Sequence, residues 1–351
     1  MSGTNGNGKR PALRVGVVGL GYWGPNLVRA MHEVADAQVA WICDARTDRL
    51  ELISRRYPSV GTTTEYSTLL EDPSLDAILI ATPVRTHFDL ASSALAAGKH
   101  VFVEKPLAAS STEAHDLVRA AAERNLVLMP GHTFLYSPPV GAVRELIQSG
   151  ALGQVYFVSS SRVNLGLHQP DVSVAWDLGP HDFSILRYWL GETPSYVSAL
   201  SRGCIFEDTP DVAFINVEFP SGTVGHVELS WLAPSKLRRT TVVGSERMVV
   251  YDDTSNEPVR IFDSGASLPT PETFGEYRLT YRTGDIVSPR IDPTEPLILE
   301  LTDFCRAIQE GNEPRSSAHL GLEVVRTIEA VDASLRLAGA RVELESLPVD
   351  A

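Results

Sequence analysis

An aspartate and a histidine lie four residues apart in VAWDLGPHDFSILRYWLG, residues 174–191. If this segment is helical from its start, Asp177 and His181 share a face, and the carboxylate could orient the imidazole as a general base. If Pro180 instead takes the first helical position, Asp177 lies outside the helix. There is also a structural interpretation, in which Asp177 caps the helix and His181 is a buried, hydrogen-bonded side chain. The segment alone is compatible with both.

A lysine ends a predicted buried strand in AGKHVFVEKPLA, residues 97–108. Lys105 follows Glu104 and precedes Pro106 at the carboxyl end of that strand, which is the edge where open parallel sheets bind ligands. Its ammonium group could donate a hydrogen bond to a substrate oxygen and stabilise negative charge that develops there. The structural alternative is an ion pair with Glu104 or a solvated position in a loop.

Three glycines with G-x-G-x-x-G spacing follow the apolar run LRVGVVG. Gly19 allows a tight turn, Gly21 lets a pyrophosphate approach the backbone, and Gly24 lets the next helix pack closely on the strand. Pro25 suits the first turn of a helix, where free N–H groups favour a bound anion. The loop therefore predicts a dinucleotide site.

The dinucleotide is predicted to be NAD. Asp44 ends the second predicted strand, twenty residues after Gly24. A carboxylate there accepts hydrogen bonds from ribose hydroxyls and repels a 2′-phosphate, so NADP is less favoured. Arg46 is the nearby residue that could receive a 2′-phosphate. Tyr22 and Trp23 lie inside the loop and are included in the cofactor site.

The first part of the chain alternates short apolar runs with helical patterns, which predicts a parallel, doubly wound sheet. A helix is expected over residues 110–124, with Ser110 or Ser111 as its N-cap. The apolar runs that predict buried strands are 13–19, 37–44, 75–83, 99–106 and 126–131.

The pattern changes after residue 150. There, apolar residues alternate with a period of two and predict a mostly antiparallel, open sheet with one solvent-facing side. Two helices close the chain, one over EPLILELTDFCRAIQEG that stops at Gly311 and one that starts near Ser317. The expected strands cover 154–166, 211–219, 223–232 and 240–253, with turns at 220–222 and 244–245.

Composition narrows the possible partners. The chain has 351 residues and a formal net charge of −14, which argues against nucleic acid or an anionic membrane, because both bind clustered positive charge. Three widely spaced cysteines, no secretion signal and no apolar run of membrane-spanning length predict a reduced, cytoplasmic protein. No histidine pair has the spacing of metal ligands, so no metal is predicted.

The order of the motifs resembles that of the glucose–fructose oxidoreductase / inositol dehydrogenase / MocA family, over nearly the whole chain. The matching stretches are the glycine loop, ATPVRTH at 81–87, AGKHVFVEKP at 97–106 and D-x-x-x-H within WDLGPHD at 176–182. The resemblance implies an α/β protein with a Rossmann NAD-binding domain over residues 12–132. It also implies a C-terminal α/β domain over 133–351, with an open, mostly antiparallel sheet for substrate binding and oligomerisation. Residues 1–11 are expected to be disordered.

The same resemblance assigns roles to individual residues. Lys105, Asp177 and His181 become catalytic, with His181 as the base, oriented by Asp177, and Lys105 as the donor to the substrate oxygen. Members of the family differ in which of the two takes the proton, and the sequence leaves this open. A homodimer or homotetramer is implied. The residues expected around the nicotinamide and its ribose are Thr82, Pro83, His87, Glu104 and Lys105.

Three segments resemble one group within the family more closely, the enzymes that oxidise UDP-N-acetylglucosaminuronate at C3. These segments are 131–138, 160–182 and 281–297. The candidate substrate-binding residues are Arg162 and Asn164, which share one face of an alternating strand, and Tyr281. A solvated strand face is the alternative for the first two.

The sequence therefore predicts an NAD-dependent oxidoreductase that moves a hydride between nicotinamide and a sugar hydroxyl or ketone. The expected position is C3 of a nucleotide-linked sugar such as a UDP-hexuronate. One alternative is a cyclitol (inositol-type) or free-sugar dehydrogenase with the same machinery. The other is a non-catalytic dinucleotide-binding regulator, against which the joint presence of Lys105, Asp177 and His181 speaks.

Overall fold

The structure is a computed structural model that describes residues 12–166, 168, 172–267 and 280–344. Residues 1–11, which the sequence predicts to be disordered, lie outside the described residues. The helices are α1 (Gly24–Met31), α2 (Thr47–Arg56), α3 (Ser67–Glu71), α4 (His87–Ala96), α5 (Ser111–Glu123), α6 (Pro138–Gln148), α7 (Val174–Leu190), α8 (Pro296–Glu310) and α9 (Ala318–Arg336). The strands are β1 (Leu13–Val18), β2 (Ala37–Cys43), β3 (Gly61–Thr63), β4 (Ala77–Ile80), β5 (His100–Glu104), β6 (Leu128–Gly131), β7 (Val155–Val163), β8 (Tyr196–Arg202), β9 (Val212–Glu218), β10 (Val224–Ser230), β11 (Leu237–Gly244), β12 (Met248–Asp252), β13 (Val259–Ser267), β14 (Thr280–Val287) and β15 (Val342–Glu343).

The chain forms two compact units. The first comprises Met1–Gly131 and Leu297–His319, and the second comprises His132–Pro296 and Leu320–Ala351. The first junction falls one residue before the predicted boundary after residue 132. None of the described helices is long and apolar enough to span a membrane.

Residues 297–319 require a correction to the predicted domain boundaries, which place them in the second domain. The structure groups them with the first unit. In that unit, Phe304 of α8 meets Phe102 of β5 edge-on, with ring centroids 5.9 Å apart. Ser316 Oγ donates to the Pro130 carbonyl oxygen at 2.6 Å. An amphipathic helix buries its apolar stripe on whichever core it reaches, and chain order does not determine which core that is.

In the first unit, the described strands form a six-stranded sheet in the order β3-β2-β1-β4-β5-β6, and all neighbouring strands are parallel. The order reverses between β1 and β4, at the switch point where sheets of this kind bind ligands. The five predicted strands are confirmed, and the three-residue β3 is an addition that no apolar run signals. Of the two serines predicted as candidate caps of α5, Ser110 is the cap, and its Oγ accepts from Glu113 N.

In the second unit, the described strands form a nine-stranded sheet in the order β14-β13-β12-β11-β7-β10-β9-β8-β15. The neighbours are antiparallel except β7 and β10, which run parallel. The prediction of a mostly antiparallel sheet is therefore confirmed, with one parallel pair in its middle. The predicted turn at 220–222 joins β9 to β10 and uses Gly222 at φ 86°, a conformation that side-chain-bearing residues rarely adopt.

The two faces of this second sheet differ. The inner face packs against α6 and α7, where Trp189 meets Tyr251 edge-on at 6.0 Å. The outer face carries exposed apolar side chains on three strands, Phe157 on β7, Leu200 on β8 and Phe214 on β9. The sheet therefore has one side buried within its unit and one side that carries exposed apolar side chains.

Candidate functional site

The glycine loop of the first unit begins where β1 ends. Gly19 has φ 87°, and a Cβ there would lie 2.6 Å from the Ala81 carbonyl oxygen. A Cβ on Gly24 would overlap the Gly19 carbonyl oxygen. The chain's own backbone therefore requires both glycines. A Cβ on Gly21 would meet nothing within 4 Å, so this position leaves a cradle of the kind that a pyrophosphate approaching the backbone needs.

The helix behind the loop is open to an anion at its N-terminus. The N-cap residue of α1, Trp23, makes no side-chain hydrogen bond to the first turn. Pro25 lies in that turn, as the sequence predicts. Uncapped N–H groups and the positive end of the helix dipole both favour phosphate. Tyr22 is 89% exposed, and its ring lies 6.4 Å from that of Trp23, so the loop carries two adjacent aromatic rings.

Asp44 ties the end of β2 to the glycine loop. Its Oδ2 accepts from Leu20 N at 2.6 Å and its Oδ1 accepts from Arg46 N at 2.9 Å. Each carboxylate oxygen can accept a further hydrogen bond, as ribose hydroxyls would require. The Arg46 side chain lies 3.8 Å from Asp48 Oδ1. The residues present therefore fit NAD, with Asp44 opposing a 2′-phosphate.

His87 fastens two strand-end loops together. Its Nε2 lies 2.9 Å from the Thr82 carbonyl oxygen and its Nδ1 2.8 Å from that of Pro106. The side chain is 1% exposed, and burial lowers its pKa. A neutral imidazole donates to one of these carbonyls. The structure places His87 as a buried clamp between the segments that carry Thr82 and Lys105, and its place beside the nicotinamide stays a prediction.

Glu104 and Lys105 end β5 as predicted. The Glu104 carboxyl is buried, and burial raises its pKa to about 8 while Lys105 opposes the shift. Its Oε1 has no hydrogen-bond partner among the described residues. A Cβ on Gly131 would lie 3.3 Å from the other oxygen, so the neighbouring strand leaves room for this carboxyl. Lys105 itself is half-buried and precedes a cis peptide bond to Pro106.

In the second unit, α7 begins early enough to include Asp177. The N-cap is Ser173, whose Oγ accepts from Trp176 N, and Asp177 N donates to the Ser173 carbonyl oxygen at 3.0 Å. Pro180 lies inside the helix. The interpretation of Asp177 as the cap is therefore wrong, and Asp177 and His181 lie one turn apart on one face. Both are half-buried.

Aromatic and ionic contacts surround His181. Its ring lies 4.9 Å from Phe134 at an interplanar angle of 71°. The Arg162 guanidinium lies over the same phenyl ring, 4.6 Å from its centroid. Arg162 Nε pairs with Asp182 Oδ2 at 2.5 Å, and Arg162 is 4% exposed. Arg162 therefore does not lie on a solvated strand face; it is buried and supports Phe134, while its role in substrate binding stays a prediction.

The other two predicted substrate residues differ in their exposure. Asn164 follows β7 and is half-buried, and its backbone N–H donates to the Ser230 carbonyl oxygen. Tyr281 is 74% exposed on the outermost strand, β14. Sequence reasoning missed Trp231, whose Nε1 donates to Asp177 Oδ2 at 3.3 Å, and Phe134. An aromatic residue at the end of an alternating strand is indistinguishable from core by pattern alone.

The described residues contain no group of three or more histidine, cysteine or acidic side chains arranged to hold a metal ion. The candidates for chemistry that the described residues do offer are the glycine loop and the half-buried Lys105 in the first unit, and the Asp177–His181 pair in the second.

Comparison with known proteins gives the family. The model described as "Oxidoreductase family, NAD-binding Rossmann fold" matches residues 13–132. The model described as "GFO/IDH/MocA C-terminal domain" matches residues 140–250. The chain belongs to the Gfo/Idh/MocA family of NAD-binding oxidoreductases.

Three relatives show what the chain is similar to. It is 30% identical over 259 residues to UDP-N-acetylglucosamine 3-dehydrogenase of Acidithiobacillus ferrooxidans, covering 72% of this chain and 78% of the relative. It is 27% identical to scyllo-inositol 2-dehydrogenase (NAD(+)) of Bacillus subtilis, covering 86% and 88%. The crystal structure of GenD2 from gentamicin A biosynthesis, in complex with NAD, matches with a TM-score of 0.81 at 26% identity, covering 96% of this chain and 97% of that one.

Proposed function

We propose that this protein transfers a hydride between NAD and a secondary alcohol or ketone of a sugar, at C3 of a nucleotide-linked sugar such as a UDP-hexuronate. The observation that carries the proposal is the start of α7 directly after its N-cap Ser173. With that start, Asp177 lies one turn before His181 on the same helix face. A carboxylate so placed can orient a histidine for proton transfer at neutral pH.

In this proposal, each of three residues has one of the roles that alcohol oxidation requires. His181 takes the proton of the reacting hydroxyl, so that the O–H bond breaks as an N–H bond forms on the ring. Asp177 orients the imidazole and stabilises its charged form. Lys105 donates a hydrogen bond to the reacting oxygen and stabilises the negative charge that develops there. A bound NAD⁺ would supply the hydride acceptor for the carbon that carries the reacting oxygen, so that this carbon is oxidised as the nicotinamide is reduced. For ketone reduction, His181 returns the proton.

The glycine loop, Asp44, Thr82 and Pro83 bind the cofactor in this proposal, together with the loop aromatics Tyr22 and Trp23. Gly21 supports this assignment because a side chain there would fill space that the protein itself does not use. Glu104 contributes a neutral carboxyl beside Lys105 below pH of about 8. His87 acts behind these residues by holding the loops that carry them.

A nucleotide-linked substrate is supported by the resemblance of residues 131–138, 160–182 and 281–297 to UDP-uronate oxidising enzymes, and by the name of the Acidithiobacillus relative. A cyclitol is the second candidate, because the Bacillus relative named for scyllo-inositol matches a larger share of the chain. A free sugar or cyclitol needs no diphosphate site. Quenching of tryptophan fluorescence by UDP therefore supports the first candidate, and no response to UDP supports the second.

A single-turnover scan tests the activity. Enzyme at stoichiometric concentration is mixed with NAD⁺ and a panel of UDP- and dTDP-sugars, uronates and inositols, while nicotinamide absorbance is followed. The enzyme concentration must be stoichiometric because an enzyme that does not release its cofactor turns over only once, and one turnover is too small a signal at catalytic enzyme concentrations. A burst with one UDP-sugar that the His181→Ala variant lacks supports the proposal. A burst with inositols alone supports the cyclitol. If the protein binds NAD but shows no absorbance change with NAD⁺ and the panel, and none with NADH and keto-sugars, a dinucleotide-binding regulator is supported.

We also propose a cytoplasmic homodimer or homotetramer that assembles through the second unit. The outer face of its sheet exposes Phe157, Leu200 and Phe214, and exposed apolar side chains on a regular surface favour association. The Phe214→Asp variant is expected to sediment as a smaller species than the parent protein. An unchanged sedimentation coefficient would show that this face of the sheet is not the interface between subunits. Cys43, Cys204 and Cys305 are free thiols, as a reducing compartment would leave them.

A further inference from the structure

We infer that Trp231 is a positioning residue whose indole N–H holds the Asp177 carboxylate in the orientation that His181 needs. The inference rests on the proposed function, which gives Asp177 and His181 their roles. Trp231 directly follows β10, and its Nε1 donates to Asp177 Oδ2 at 3.3 Å. A strand end of the sheet therefore reaches the carboxylate on α7.

The indole is held in place by the backbone around it. Trp231 N donates to the Asp211 carbonyl oxygen at 2.9 Å, and its own carbonyl oxygen accepts from Gly166 N at 3.0 Å. The side chain is 2% exposed. A Cβ on Gly166 would lie 2.9 Å from Cδ1 of the ring, so this glycine leaves the space that the ring fills. The direction of the indole N–H is set by the sheet and not by the helix that carries Asp177.

A histidine also packs against the Trp231 ring. The His168 ring lies 5.5 Å from that of Trp231, at 61°. His168 Nε2 lies 3.7 Å from Asp211 Oδ2. Asp211 is fully buried, and its carboxylate accepts from Cys204 N and Ile205 N at 2.9 and 2.8 Å. The ring is thus packed against His168, which lies beside the buried Asp211.

This arrangement has a consequence for the carboxylate. An aspartate side chain rotates about two bonds, and a fixed donor at Oδ2 restricts rotation about both. A carboxylate accepts hydrogen bonds through both of its oxygens, and in this proposal Oδ1 is the oxygen that orients His181. The indole also needs the carboxylate, because a buried N–H group without an acceptor destabilises the folded protein. A purely structural Trp231 would stabilise the fold and leave turnover unchanged, whereas a positioning Trp231 slows turnover through Asp177.

The test removes one hydrogen-bond donor and keeps the ring. Trp231 is replaced by benzothienylalanine, which has the shape of tryptophan with sulfur in place of the N–H group. In parallel, the Trp231→Phe variant removes the N–H group together with part of the ring. We expect kcat to fall about tenfold, the size of one lost hydrogen bond to a charged group, with KM and NAD affinity unchanged. Because the effect passes through Asp177, Trp231→Phe combined with Asp177→Asn should be no slower than Asp177→Asn alone.

Trp189 provides the matched control. It is a buried tryptophan whose Nε1 donates to the Val140 carbonyl oxygen at 2.8 Å. Benzothienylalanine at Trp189 should lower the unfolding temperature and leave kcat unchanged. Wild-type kcat with benzothienylalanine at Trp231, or additive losses in the double variant, would overturn the inference and leave the proposed function standing. Full activity of Asp177→Asn would instead overturn the proposed function.

Discussion

Arg162 Nε lies 2.5 Å from Asp182 Oδ2, and the two side chains are 5% and 3% exposed. Asp182 directly follows His181 on α7, whereas Arg162 lies on β7, so this ion pair joins the helix to the sheet next to the histidine. Ser160 Oγ donates to the second carboxylate oxygen at 2.6 Å. The guanidinium also covers Phe134, whose ring meets His181. The buried pair therefore fixes the surroundings of the imidazole.

Arg162→Met should strongly destabilise the protein, because it leaves the Asp182 carboxylate buried without its cation. The expected loss in the free energy of unfolding is about 3–5 kcal/mol, measured by denaturant titration. Arg341→Met is the matched control, since its pair with Glu218 has side chains 54% and 48% exposed, and such pairs contribute less than about 1 kcal/mol. Equal losses in the two variants would contradict the role given to the buried pair.

Lys105→Met should reduce turnover and spare cofactor binding, because the lysine stabilises charge that develops only during the reaction. We expect kcat to fall by about 10²–10³-fold, as for loss of one transition-state donor, with the NAD dissociation constant within about twofold of the parent, a change below 1 kcal/mol. The exposed Lys236 supplies the control variant Lys236→Met. An equal loss of NAD affinity would show that Lys105 serves binding and not chemistry.

Asp44→Asn should weaken the preference for NAD over NADP. The amide can still accept a hydrogen bond from one backbone N–H, but the negative charge that repels a 2′-phosphate is gone. The ratio of kcat/KM for NAD to that for NADP should fall about tenfold or more, a change of about 1.4 kcal/mol. Glu51→Gln removes an exposed charge of α2 whose carboxylate faces Arg55, and should leave the ratio unchanged. A constant ratio in Asp44→Asn would show that cofactor choice lies elsewhere.

Glu104 should make stability depend on pH. Its pKa is raised from 4.5 to about 8 in the folded protein, so between these values the folded state keeps a proton that the unfolded state loses. The contribution is fully present below pH 4.5 and is lost as pH rises to about 8, at up to about 1.4 kcal/mol per pH unit. Denaturant unfolding of the cofactor-free protein across this range measures it.

The Glu104→Gln variant replaces the titrating carboxyl with an amide of the same shape. Subtracting its unfolding free energies from those of the parent isolates Glu104 from every other titrating group. The difference should favour the parent at low pH and shrink as pH rises. A difference that grows with pH would mean that the carboxylate is ionised in the folded protein.

The local features of the site could be predicted from the sequence. The glycine spacing, the capping serine of α5 and the lysine after β5 each depend on a few consecutive residues, whose backbone preferences act at short range. The strands of the first unit were also predictable, because a parallel sheet covered on both faces leaves continuous apolar runs.

The burial of the Arg162 side chain could not be predicted from the sequence. Its alternation with Val163 and Asn164 correctly indicates a strand, but does not show which side of the sheet faces the core. The register that pairs Arg162 with Leu229 of β10 and Arg238 of β11 turns its side chain inward, toward Asp182. A strand shifted by one residue would expose it.

The sequence by itself determined the family, the cofactor class and the two short motifs that carry Lys105 and the Asp177–His181 pair, because these depend on residue identity at close spacing. Only the tertiary structure decided what surrounds them. It brought Trp231 to Asp177 from 54 residues away, buried Arg162 against Asp182, made His87 a clamp, and assigned residues 297–319 to the first unit. Each of these depends on how strands register and how helices pack, and side-chain contacts between distant residues exist only once that packing is complete.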